Sequence, residues 1–191
     1  GAHFRLPGQN RDGVLELSSQ QGYQVLSRAT TSDLFGVRDG VPGRIDANGS
    51  FVGIATDDVT VCEVAVSLDG TLMAVVDETR RLVLIGPMGG ETEQVEPDVA
   101  DLRAAQFIQD ELWVLGTDSK DHTQLLRIDA RGNQTRMDVS DLPGEVTEFA
   151  GSQTGNHIAL ITRQGDEDRL FVASMLDGKK TTLEKWWELT L

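Results

Sequence analysis

A strand, a short polar turn closed by glycine and a second strand recur along the chain, and a repeat of that kind leaves few architectures open. Residues 62–76 align with residues 146–161. The turns are Ser67-Leu68-Asp69-Gly70 and Ser152-Gln153-Thr154-Gly155, and each leads into an apolar-Ala-apolar core, Met73-Ala74-Val75 and Ile158-Ala159-Leu160. A third copy spans residues 102–115, turning at Gln109-Asp110-Glu111. A fainter one pairs Val14-Leu15-Glu16-Leu17 with Tyr23-Gln24-Val25-Leu26. Equivalent centres at Val25, Ala74, Trp113 and Ala159 lie 49, 39 and 46 residues apart, against the roughly 40 to 50 residues of a four-stranded propeller blade.

Each copy continues into a third apolar run, at Leu34-Phe35-Gly36-Val37, Leu82-Val83-Leu84-Ile85, Leu125-Leu126-Arg127-Ile128 and Leu170-Phe171-Val172-Ala173, and then a more polar fourth. Helical periodicity is missing, so the chain is read as all-β. In a two-sheet sandwich, the runner-up, one face of each strand meets water and apolar residues alternate with polar ones. Met73-Ala74-Val75-Val76, Leu112-Trp113-Val114-Leu115 and Ile158-Ala159-Leu160-Ile161 do not alternate, as expected of sheets packed between neighbours. The expected fold is a β-propeller of about four blades at 13–57, 58–101, 102–143 and 144–191, behind a tail or tag remnant at 1–12. Four blades are few for a closed ring, so the chain is expected to belong to a larger propeller, and a second copy could cover the bare blade faces.

The pairs Asp12-Gly13, Asp39-Gly40, Asn48-Gly49, Asp69-Gly70 and Asp177-Gly178 suit the positive φ of tight hairpins. Their aspartates are read as turn formers, not catalytic carboxylates. A net charge of -14 repels phosphate backbones, so no nucleic-acid partner is expected. The basic pairs Arg80-Arg81 and Lys179-Lys180 are read as hairpin tips. Cys62 stands alone, so no intrachain disulfide forms, and its apolar run marks it as a small buried residue. No run approaches the roughly 20 apolar residues that span a bilayer, so any membrane attachment is expected through an anchor outside this sequence.

Chemistry is sparse. His3, His122 and His157 sit in unrelated settings without cysteine partners, so no metal site or cofactor is expected. Gly49-Ser50 and Gly151-Ser152 lack the frame of a nucleophile elbow. The carboxylates of Asp57-Asp58, residues 91–93, residues 138–141 and Asp166-Glu167-Asp168 match no calcium loop and are read as solvated hairpin tips. Trp186-Trp187 is the most unusual local feature. Adjacent strand residues point to opposite faces, so the pair either packs between blades or, on an open face, offers a partner-binding hot spot.

The succession of residues 64–76, Arg81-Leu82-Val83-Leu84-Ile85-Gly86, Ala104-Ala105-Gln106-Phe107, Leu112-Trp113-Val114-Leu115-Gly116 and Ile128-Asp129-Ala130-Arg131-Gly132 resembles the C-terminal propeller of the actinobacterial lipoprotein LpqB family. Leu68 stands where that blade motif usually has proline. The resemblance implies a non-enzymatic module of a lipid-anchored envelope protein on the outer face of the cytoplasmic membrane. It implies a protein partner, the extracellular domain of a two-component sensor kinase. The alternative is a small-ligand-binding or hydrolytic propeller working through its central funnel, marked by convergent His, Arg or carboxylate groups.

Overall fold

The computed structural model describes residues 2–5, 14–17, 23–28, 34–45, 49–54, 56, 59–81, 83–87, 90–152, 154–174 and 186–189; for residues 2–5, 14–17, 23–28, 84 and 186–189 it describes the backbone only. Two compact units result, Gly1–Val95 and Glu96–Leu191. In the first, β1 (Ala2–Arg5) pairs with β2 (Val14–Leu17). Two four-stranded antiparallel sheets follow. One runs β3 (Tyr23–Arg28), β4 (Leu34–Arg38), β5 (Val41–Ile45), β6 (Phe51–Gly53), and the other β7 (Val61–Val66), β8 (Leu72–Asp77), β9 (Val83–Pro87), β10 (Glu93–Val95). The second unit holds β11 (Asp101–Ile108), β12 (Glu111–Thr117), β13 (Thr123–Ile128), β14 (Gln134–Met137), then β15 (Glu145–Gly151), β16 (His157–Gln164), β17 (Glu167–Ser174), β18 (Trp186–Leu189). Every four-stranded sheet is a simple meander, and no helix occurs among the described residues. Each unit thus holds two four-stranded meanders.

The aligned turns prove to be one device. The Ser67 hydroxyl accepts the Leu72 N–H at 2.9 Å, and the Ser152 hydroxyl accepts that of His157 at 3.0 Å. Gly70 and Gly155, at φ 76° and 68°, each donate N–H to the serine carbonyl at 2.9 Å. The serine, buried at 67 and half-buried at 152, thus satisfies its own hydroxyl while closing the hairpin, and glycine takes the left-handed position. Asp39 and Gly40 turn β4 into β5 with φ of 55° and 77°. Asp12-Gly13, Asp177-Gly178 and Lys179-Lys180 lie outside the described residues. Below these hairpins the repeat has a second mark: the first strand of three sheets is bulged at the same place, between Val61 and Glu63, Leu102 and Ala104, and Val146 and Glu148. A bulge adds local twist, so it re-aims each of these strands in the same way.

One assignment differs from the sequence reading. Val14–Leu17 does not open the first repeat; it pairs with Ala2–Arg5, within and beside the stretch read as a tail, while Tyr23–Arg28 takes the first position and Leu34–Arg38 the second. Gly36 then aligns with Ala74, and the first step of the repeat comes close to the 39 residues between Ala74 and Trp113. Strand pairing is a tertiary choice, and two weak apolar runs can be joined in more than one way.

Burial is two-sided in the middle of the chain. Met73, Ala74, Val75 and Val76 are at most 2% exposed, as are Leu112, Trp113, Val114 and Leu115, so both faces of β8 and β12 are covered. In β16 the pattern alternates instead: Ile158, Leu160 and Thr162 are buried, whereas Ala159 and Ile161 are half-buried. The buried face packs on the preceding sheet, where Ile108, Trp113, Leu115, Leu125 and Met137 meet Val146, Ile158, Leu160, Phe171 and Ala173. In the first unit, Phe35 and Val37 pack with Val61, Val64, Val66, Met73 and Val75. Apolar area removed from water in these inter-sheet cores is the dominant favourable term.

Candidate functional site

Where the outer strands β13 and β14 give way to the loop that returns to β15, the second unit opens into a cleft of about 740 Å³. Its apolar floor is Met137, Leu142 and Val146, all members of the inter-sheet core. Its rim is polar, with Asp121, His122, Arg136, Asp138, Ser140 and Glu145.

Local turn chemistry builds both rims. On one side, an Asp118 carboxylate oxygen accepts the N–H groups of Lys120 at 2.7 Å and His122 at 3.0 Å, and Asp121 occupies the left-handed region at φ 62°. Those two backbone donors, Lys120 first, hold the Asp118 carboxyl below its ordinary range. On the other side, Asp138 accepts the Ser140 hydroxyl at 2.6 Å and its N–H at 3.0 Å, and is likewise lowered. Leu142 donates N–H to the Val139 carbonyl at 3.2 Å, which turns its side chain's stretch of chain back toward the core. Gly144 closes the loop at φ 78°; a Cβ there would strike the Arg163 carbonyl, so only glycine lets the chain enter β15.

Two arginines beside the cleft are committed to carboxylates. Arg136 hydrogen-bonds Asp98 at 2.6 Å, and Gln134 fastens the same segment through the Asp98 N–H and the Glu96 carbonyl, each at 2.8 Å. Arg103 hydrogen-bonds Glu145 across the adjacent strands β11 and β15 and lies 3.7 Å from Asp101; the Glu145 bond raises its pKa further. Among the described residues, no cation pairs with Asp121 or Asp138.

His122 and Ser140 line the same cleft without forming a nucleophile pair. The His122 Nδ1 lies 3.3 Å from Asp118, and the Ser140 hydroxyl is spent on Asp138. Activation of a serine requires its hydroxyl on the imidazole, and here each has another partner. The arrangement is suited to holding a ligand, with an apolar floor for contact area and fixed charges for orientation.

Of the residues singled out from the sequence, His122 and Asp138 line this cleft. His157 starts β16 and is exposed, and His3 lies on β1 in the other unit. No described trio of His, Cys, Asp or Glu groups as a metal set. Cys62 is half-buried, its thiol donating to the Asp77 carbonyl at 3.1 Å; burial pushes its pKa up, against the opposing charge of Arg80. Trp186 and Trp187 lie on β18 opposite Ala173 and Val172, and their side chains fall outside the described residues. The acidic stretch 138–141, read as a hairpin tip, is instead part of the link between two sheets and a wall of the cleft. The signal available for it was Pro143-Gly144 after an acidic run, which marks a loop but not what the loop encloses.

Residues 47–185 match the model of the lipoprotein LpqB β-propeller domain. The chain belongs to the LpqB β-propeller family. Solved structures place it in the same fold. It is similar to Kuenenia stuttgartiensis hydrazine synthase (16% identity, TM-score 0.64, covering 95% of this chain and 53% of that one). It is also similar to a putative TolB from Agrobacterium tumefaciens (16% identity, TM-score 0.64, 83% and 60%) and to a chain of a nidogen/laminin complex (12% identity, TM-score 0.64, 87% and 64%). The LpqB-family chain therefore spans between 53% and 64% of the length of these three propellers. No curated protein matches it in sequence. Membership in the LpqB family makes the chain an envelope-associated lipoprotein's β-propeller domain.

Proposed function

We propose that this domain is a non-catalytic protein-binding module of its envelope lipoprotein, displayed on the outer face of the cytoplasmic membrane and acting as an accessory to a two-component sensor kinase. The observation that carries the reading is the cleft between two rigid sheets, apolar below and charged above, whose serine and histidine are tied to separate carboxylates. A rigid scaffold that presents loops is a common basis for recognition, and the similar nidogen/laminin chain comes from a complex of two proteins. Trp186 and Trp187 are a second candidate contact, since tryptophan is enriched at binding hot spots.

The test is capture from detergent-solubilised membranes with the purified domain immobilised, followed by identification of what is retained. A sensor kinase retained by its extracellular domain is the expected result. Retention of a small metabolite without any protein overturns the reading.

A further inference from the structure

The geometry points to a specific kind of occupant for the cleft: an extended segment of a partner protein that places an apolar side chain on the floor and a lysine or arginine against the rim. This rests on the protein-binding reading and names the chemistry of its site.

The floor of Met137, Leu142 and Val146 belongs to the same packed core that holds the two sheets together, so it is in place before any ligand arrives. A cleft of about 740 Å³ falls within the roughly 300 to 1,000 Å³ of ligand sites. It exceeds what one side chain fills, which favours a segment of several residues. Charge decides its sign. Arg136 already holds Asp98, and Arg103 holds Glu145, so these two arginines are engaged within the domain. Asp121 and Asp138 line the opening from two separate turns, and no described cation pairs with either. A cationic residue at this rim meets two carboxylates on turns already ordered by internal hydrogen bonds, so little entropy is lost in presenting them. An acidic segment would meet the same two charges, and the chain's net charge of -14, as repulsion.

The experiment is an NMR titration of the 15N-labelled chain with two blocked hexapeptides, Gly-Leu-Arg-Leu-Lys-Gly and the same sequence with Glu at both basic positions. The cationic peptide is expected to shift amides within 121–124 and 136–146, more weakly as salt is added, while the acidic peptide leaves them unmoved. Asp121→Asn with Asp138→Asn removes both charges but keeps a residue that tolerates the left-handed region and a turn-forming carbonyl; it is expected to weaken binding about fivefold. Ser140→Arg, which replaces the hydroxyl bound to Asp138 with a cation on the same rim and leaves both aspartates in the sequence, is expected to weaken it similarly. Equal shifts from both peptides, shifts confined to other residues, or unchanged affinity in these variants overturns the inference. Capture from membranes separates it from the broader reading. A protein retained equally by the native domain and by Ser140→Arg removes the cleft as its site and leaves protein binding standing, and the absence of any retained protein removes both.

Discussion

The side-chain amide of Gln109, in the turn between β11 and β12, donates to the backbone carbonyl of Thr154 in the turn between β15 and β16 at 2.6 Å. The bond ties the hairpin ends of two neighbouring sheets. Gln109 sits at φ 57°, a conformation that costs any residue but glycine and a few others. Gly155 lies directly under it, and a Cβ there would run into the Gln109 side chain. Asparagine tolerates that φ but is too short to reach Thr154, so Gln109→Asn isolates the bond. It is expected to lower stability by about 1 kcal/mol, read as a reduced urea midpoint with an unchanged slope.

A second tie between these sheets is steric. Gly151, on β15, faces the buried Ile108 on β11 so closely that an added Cβ would overlap three of its side-chain carbons. Gly151→Ala is expected to cost about 1–3 kcal/mol by overpacking. With Ile108→Ala in the same chain the two costs should fall short of their sum, because the smaller residue vacates the space the new methyl needs. Additive losses in a denaturation cycle would show that the approach of the two strands is not what requires glycine.

What could be read from the sequence was what is local in the chain. Ser67 to Gly70 and Ser152 to Gly155 are matched in the structure bond for bond because a hairpin of that kind is decided within about six residues. The unbroken burial of Met73-Ala74-Val75-Val76 was equally visible, since an apolar residue at every position leaves no wet face. Val14–Leu17 was misplaced because nothing within it says which strand it pairs with. Ile158-Ala159-Leu160-Ile161 reads as buried on both sides yet is fully covered on one, a difference that depends on neighbours and not on the segment. The cleft had no sequence signature at all. Its floor is core, its rim is turn, and only the path of residues 138–144 between two sheets makes them one site.

Trp113 is 2% exposed in the core between these sheets, and its indole N–H meets no acceptor among the described residues. A buried donor without a partner carries a desolvation penalty that offsets part of the gain from burying the ring. Phenylalanine keeps most of the apolar area and removes the donor. Trp113→Phe is therefore expected to cost less than about 2 kcal/mol, whereas Trp113→Ala should cost about 3–5 kcal/mol through the cavity it leaves. Equal losses for the two variants in urea denaturation would mean that the indole N–H finds compensation.

Four turns share one electrostatic design, with consequences in acid. Asp69 is lowered by the Thr71 N–H and the Ser67 hydroxyl, Asp118 by the N–H groups of Lys120 and His122, Asp129 by the side chain and N–H of Asn133, and Asp138 by the hydroxyl and N–H of Ser140. Each carboxylate binds its proton more weakly folded than unfolded, so the unfolded chain takes up protons first as pH falls. Their stabilisation is complete above the unfolded aspartate value of roughly 3.9 and drains away as pH descends through the lower folded values. These groups thus leave stability flat near neutrality and give it a downward slope below about pH 4. Asp69→Asn, which keeps an acceptor in the Ser67 turn, is expected to lower the urea midpoint at pH 7 and to make its fall in acid shallower. A midpoint whose acid slope is the same in Asp69→Asn as in the native chain would show that the turn's hydrogen bonds do not discriminate between carboxylate and carboxylic acid.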